Sequence, residues 1–98
     1  MDFLKFLSDN IVVFDGAFGT LLQKKAGNVG TIPERLNIER PELIAEIHRE
    51  YARAGADVIT SNTFGVNEIK VGSASLSEKL IRAAIGLACT EAGKNKFV

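Results

Sequence analysis

Ile11-Val12-Val13-Phe14-Asp15-Gly16-Ala17-Phe18-Gly19-Thr20 is the stretch on which the reading of the fold turns. Four consecutive apolar residues, mostly β-branched or aromatic, predict a strand buried on both faces. They run into an acidic residue and a glycine-spaced turn, and Thr20 to Lys25 then reads as the first turns of a helix. A buried strand that ends in Asp-Gly-x-x-Gly and opens a helix is one way in which α/β proteins build a site. Backbone amides are freed at the turn, and glycine lets a ligand approach them closely. A carboxylate at the strand tip, Asp15, can take an ammonium group; in the plainer reading it only caps the helix. Short glycine motifs of this kind have little specificity. Both readings stand on this stretch.

The bulk of the chain narrows the classes. At 98 residues it has room for one domain with a modest core. Apolar residues make up 46% and charged residues 24%, the balance of an ordinary globular protein. Twelve basic and twelve acidic residues cancel, which removes the electrostatic case for nucleic acid or an anionic membrane as partner. No apolar run approaches a membrane span, and the opening Met1 to Leu7 is too short, with an acidic second residue, for a secretory signal. Cys89 is the only cysteine, so no internal disulfide can form and a cytoplasmic location is the expectation. Alone it cannot build a structural zinc site, which takes about four ligands.

Outward from the first strand, residues 2–9 predict a short amphipathic helix with Phe3, Leu4 and Leu7 on one face. A helix from about Phe18 to Ala26 closes at Gly27-Asn28-Val29-Gly30, and Thr31 to Asn37 reads as a polar connector. Pro41 opens the clearest helix, where Leu43, Ile44, Ile47, His48 and Tyr51 form one stripe and Gly55 is the stop. Asp57 to Asn62 is a second short strand ending in polar residues, followed by a loop over Thr63 to Asn67 and a brief helical stretch over Glu68 to Gly72. Ser75 with Glu78 fits a capping box, and the helix behind it sets Leu80, Ile81, Ala84, Ile85, Leu87 and Ala88 on an apolar side before Gly93. Lys96-Phe97-Val98 reads as the start of a third strand.

Strands alternating with helices predict the α/β class, with a parallel sheet and right-handed crossovers. Asp15-Gly16 and Asn62-Thr63, both just past strand ends, then fall on the one edge where such sheets and barrels keep their ligands. About two and a half βα units leave outer strands unpaired, so the remainder of a barrel or a partner chain is expected to cover them.

At this point several motifs occur in order: Asp15-Gly16-Ala17-Phe18-Gly19-Thr20, Pro33-Glu34-Arg35-Leu36-Asn37, Ile47-His48-Arg49-Glu50-Tyr51, and Ala54-Gly55-Ala56-Asp57 through Ser61-Asn62-Thr63-Phe64-Gly65. Together they resemble the N-terminal part of the homocysteine-binding S-methyltransferase family, most like its cobalamin-dependent, methionine-synthase branch. The resemblance covers residues 10–98, with Phe18 where methionine is commoner and Val66 where alanine is usual. It implies that residues 1–98 are the N-terminal fragment of a (β/α)8 TIM barrel. It also implies an enzyme that transfers a methyl group to zinc-bound homocysteine thiolate, zinc lowering the thiol's pKa. Cobalamin and methyltetrahydrofolate are the implied methyl source. The family's three zinc-binding cysteines lie on later strands; Cys89 does not match them and reads as a small core residue. What carries over is the amino-acid end of the substrate. Asp15 and the backbone of Gly16 and Ala17 match the turn around homocysteine's ammonium and carboxylate, and Asn62 and Thr63 match the second strand tip lining the same pocket. A zwitterion wants a carboxylate for its ammonium group and donors for its own carboxylate. Glu34 and Asn37 match a motif assigned to loop structure before ligand contact.

Plainer readings stand beside these. His48 sits at the edge of an apolar stripe without a second metal-ligand candidate nearby and reads as a packed or half-exposed residue. Phe14, Phe18 and Phe64 read as core before pocket wall, and Lys24-Lys25 as a solvated helix face. The whole chain can also be read as a non-catalytic α/β fragment or small-ligand-binding module, inactive in isolation. A phosphate or nucleotide binder is disfavoured, because the P-loop lysine-serine pair and an acidic ribose partner are missing at the expected spacing.

Overall fold

The structure, a computed structural model, describes residues 2–98, and every regular element among them is helical. Helix α1 spans Phe3–Asp9, with the Asp2 carboxylate accepting from the Leu4 and Lys5 N–H groups. Helix α2 spans Gly19–Ala26. A 3-10 turn over Pro33–Arg35 then runs directly into α3, Leu36–Glu39. Helix α4, Pro41–Ala54, starts on proline and stops at Gly55, whose φ of 109° is a conformation that side chains with a Cβ rarely adopt. Helix α5, Glu68–Val71, is capped by the Asn67 amide oxygen, which accepts from the Lys70 N–H at 2.8 Å. Helix α6, Ala74–Ala92, is the longest. No helix among the described residues is long and apolar enough to cross a membrane.

Helix α4 organises the packing. Ile44 and Ile47 on its inner stripe meet Leu22 of α2, with Phe18, Leu21, Leu36 and Leu87 closing around them. A second cluster of Ala56, Ile59, Ala88 and Ala92 sits where α6 passes the segment after α4. Tyr51 packs against both clusters and so joins them. Ion pairs repeat the same connections at the surface: Lys25 of α2 reaches Glu46 and Glu50 of α4 at 2.9 and 3.0 Å, and Arg49 of α4 reaches Glu91 of α6 at 2.6 Å.

The predicted α/β class, and with it the partial TIM barrel, is overturned: no sheet forms among the described residues. The three expected strands reduce to two isolated parallel bridges, Phe14 with Val58 and Val58 with Phe97. Side chains account for the brevity of the pairing. The Val58 N–H donates to the Val13 carbonyl and the Asp15 N–H to the Val58 carbonyl. A ladder continued one step each way would send the Val13 N–H to the Ala56 carbonyl and the Thr60 N–H to the Asp15 carbonyl. Instead the Asp57 carboxylate accepts from the Val13 N–H at 2.9 Å, while the Lys96 ammonium donates to the Ala56 carbonyl. At the other end the Asp15 carboxylate takes the Thr60 N–H at 2.9 Å. Two aspartates end the pairing where it would have become a strand. The first segment is accordingly not buried on both faces: Ile11 is 92% exposed and Phe14 58%.

Smaller expectations are corrected with it. The polar connector is helical, because Pro33 starts a 3-10 turn and Leu36 packs on the Leu22 cluster. The cap of α6 is Ser73, whose hydroxyl accepts from the Leu76 N–H at 3.2 Å, and not Ser75. Cys89 is exposed on the outer face of α6 rather than in the core, and Phe64 is fully exposed. Lys25 is paired; His48 is packed, fully buried on the inner stripe of α4.

Candidate functional site

The turn after Phe14 and the turn after Ile59 face each other, because the Phe14–Val58 bridge brings their stems together. Between them lies a cleft of about 190 Å³ walled by Asp15, Gly16, Phe18, Thr60, Asn62 and Thr63, among others. Four of the five residues singled out in the sequence, Asp15, Gly16, Asn62 and Thr63, therefore line the same cleft, two from each turn. Ala17 does not line it. Its carbonyl is turned to α4, where the Tyr51 hydroxyl donates to it.

Asp15 is the centre of the arrangement. Its Oδ1 accepts from the Thr60 hydroxyl at 2.8 Å and its Oδ2 from the Thr60 N–H at 2.9 Å. Thr60 is the partner that the sequence reading missed, although it stands in the polar tail of the second segment, where a match for a strand-tip carboxylate belongs. A carboxylate offers about four acceptor positions, so two remain for a ligand. Asp15 does not cap α2. The N-cap position is Phe18, which lacks a side-chain oxygen, so the first-turn amides of α2 have no side-chain cap. Gly16 lies under the Tyr51 ring, and a Cβ there would come within 3.2 Å of the Tyr51 hydroxyl oxygen.

The opposite wall is fixed from α3 and from within its own turn. Asn62 pairs side chain to side chain with Asn37, and Ser61 and Thr63 hydroxyls lie 3.1 Å apart. Glu34 is buried with its Oε1 unpartnered among the described residues. A Cβ on Gly65 would come within 2.7 Å of that oxygen and 2.8 Å of the Lys70 Nζ, so a side chain at residue 65 would have to displace the ends of both.

Helix α4 contributes from below. His48 and Tyr51, three residues apart, share its inner face; the His48 ring lies 5.3 Å from Phe18, a wall residue of the cleft. Both His48 nitrogens are buried without partners among the described residues. Burial pushes its pKa below the usual value, against the carboxylates of Asp15 and Glu91, which act to raise it.

Next to the cleft, and sharing Thr60 and Ser61 with it, is a broader apolar hollow of about 500 Å³ walled by Phe3, Phe14, Val58 and Phe97. Phe3 and Phe97 meet edge to face at 5.0 Å. Among the described residues no group of three His, Cys, Asp or Glu side chains could hold a metal ion, and the lone Cys89 stands exposed on α6. The three-cysteine zinc centre implied by the resemblance does not fit this residue set.

Comparison with known proteins agrees with the motif order. Residues 12–98 match the family model described as homocysteine S-methyltransferase. Two curated proteins described as methionine synthase are similar to the chain, one from Mycobacterium leprae (strain TN) and one from Mycobacterium tuberculosis (strain ATCC 25618 / H37Rv). Each is 36% identical over 85 residues, covering 81% of this chain and 7% of the relative. The chain thus spans a small part of the length of these relatives.

Proposed function

The chain belongs to the homocysteine S-methyltransferase family, and from that premise we propose that its Asp15 cleft holds the amino-acid end of homocysteine during methyl transfer of the methionine-synthase type. The observation that carries this reading is the meeting of Asp15, Gly16, Asn62 and Thr63 around one small cleft. Its volume, about 190 Å³, lies below the ~300–1,000 Å³ of pockets for larger ligands and suits a small zwitterion.

The chemistry divides along the walls. The free acceptor positions of Asp15 suit an ammonium group, and the amides of the turn and of the α2 start suit a carboxylate. The apolar hollow beyond Thr60 offers a surface for the two methylenes and sulfur of homocysteine. Asp15 orients the ammonium through its remaining lone pairs while Thr60 keeps the carboxylate from rotating.

Zinc activation of the thiol, and methyl supply by cobalamin and methyltetrahydrofolate, belong to this proposal as functions of a longer protein. Among the described residues no group of three His, Cys, Asp or Glu side chains is assembled to hold the zinc. For the 98 residues alone we propose substrate-end recognition without turnover.

A second reading has its own support: both Asp15 oxygens already engage Thr60, so Asp15 could be a structural latch and nothing more. Calorimetric titration with L-homocysteine separates the two. Asp15→Ala should lower the affinity by roughly 1.5–3 kcal/mol, the scale of a hydrogen bond to a charged group. An unchanged affinity, with only the melting temperature lowered, would leave the latch as its whole role.

A further inference from the structure

The Asn37–Asn62 pair settles a polarity that the residue types leave open. Asn37 is 2% exposed and sits on α3, outside the cleft; Asn62 is part of the wall. The Asn37 amide faces the main-chain carbonyls of Asn62, at 2.9 Å, and Leu80, at 3.5 Å. Carbonyl oxygens only accept, so the end of Asn37 turned toward them is its NH2. Its Oδ1 is then the atom that meets the Asn62 side chain. That oxygen also only accepts, so the Asn62 atom 3.0 Å away is Nδ2. Two main-chain carbonyls thereby decide the orientation of both amides, which position alone leaves ambiguous. The remaining end of Asn62, Oδ1, has no donor among the described residues.

We propose that Asn37 is a positioning residue that holds Asn62 as a hydrogen-bond acceptor beside Asp15, so that the cleft selects a ligand bearing an ammonium group. The inference rests on the amino-acid reading of the cleft. With Asn62 locked, the groups lining the cleft include a carboxylate and an amide oxygen beside the hydroxyls of Thr60, Ser61 and Thr63, and an ammonium is donor-only. With Asn62 free to turn, its NH2 would face the ligand as readily, repelling an ammonium and attracting a carboxylate instead.

The test uses the full 98-residue chain and two probes, L-homocysteine and 4-sulfanylbutanoate, the same thiol acid without the ammonium group. The wild type should prefer homocysteine, and Asn37→Leu should cut that preference by roughly tenfold, the effect of one hydrogen bond to a charged group. Affinity for 4-sulfanylbutanoate, which lacks the ammonium group, should not fall. Adding Asn62→Asp to Asn37→Leu, which presents an oxygen in either orientation, should restore the preference. A ligand-free reading comes from the Asn62 side-chain NH2 in nitrogen-15 spectra: slow solvent exchange in the wild type, fast in Asn37→Leu. Fast exchange in the wild type, or an unchanged preference in a folded Asn37→Leu, overturns the role of Asn37. Slow exchange without any wild-type preference for homocysteine shows instead that the amino-acid reading fails, and the selection assigned to Asn37 fails with it.

Discussion

Asp15 and His48 show how much one side chain can decide here. The Asp15 carboxylate replaces its own carbonyl as the partner of the Thr60 N–H, and so ends the backbone pairing where the cleft begins. His48 is a different case, a buried imidazole without hydrogen bonds among the described residues. An unfolded histidine takes its proton near 6.5, whereas burial holds the folded one below that value. Between the two values the unfolded state binds more protons. The His48 contribution to stability is therefore complete above pH 6.5 and falls as pH drops through 6.5 toward the folded pKa, levelling off below it. Chemical unfolding at a series of pH values should show this slope in the wild type and a shallower one in His48→Leu. Equal slopes would mean that the buried ring does not titrate against folding. The variant should also lose little at neutral pH, since it removes two buried unpaired polar atoms along with the ring.

Among the elements, α4 was legible because several signals agree: an apolar stripe at helical spacing, proline at its start and glycine at its end. Its inner stripe is correspondingly sensitive. Ile47→Ala should destabilise the chain by about 2–5 kcal/mol, from lost burial and the cavity left behind, as read by denaturant unfolding. The cap of α6 was not legible, for a local reason. Ser75 with Glu78 has the better box pattern, but α5 ends at Gly72 with φ of 79°, which leaves Ser73 extended and first in line to cap. Ser73→Ala should accordingly cost about 1 kcal/mol and Ser75→Ala less than about 0.5 kcal/mol. The reverse order would return the cap to Ser75. The Pro33–Glu39 helical stretch was hidden by its polar composition; Asn37 and Glu34 face inward from it, and side-chain type alone does not report that.

At the scale of the whole molecule, the apolar run Ile11 to Phe14 was misread because periodicity records which residues can be buried, not whether a neighbour is present to bury them. The pairing stops at Asp15 and Asp57, whose side chains take the amides that a sheet would have used. Amide exchange should therefore protect Asp15, Asp57, Val58, Ile59 and Phe97, which donate to main-chain carbonyls across the bridges, and leave Ile11 and Val12 unprotected. Protection running through residues 11–15 would mean a continuous strand after all. The juxtaposition of Asp15-Gly16 with Asn62-Thr63 was nonetheless foreseeable, since one parallel bridge suffices to set two following turns side by side. Thr60 escaped notice, and Tyr51 and Asn37 were read only as a stripe residue and a loop residue, because each acts through a partner distant in sequence. Receipt of the amino-acid end of homocysteine by this cleft is read most directly by titrating the nitrogen-15-labelled chain with L-homocysteine and following each amide. Saturable shifts concentrated at Gly16, Thr60, Asn62 and Thr63 are expected. Shifts spread elsewhere, or none at saturating ligand, would rule the cleft out as the binding place.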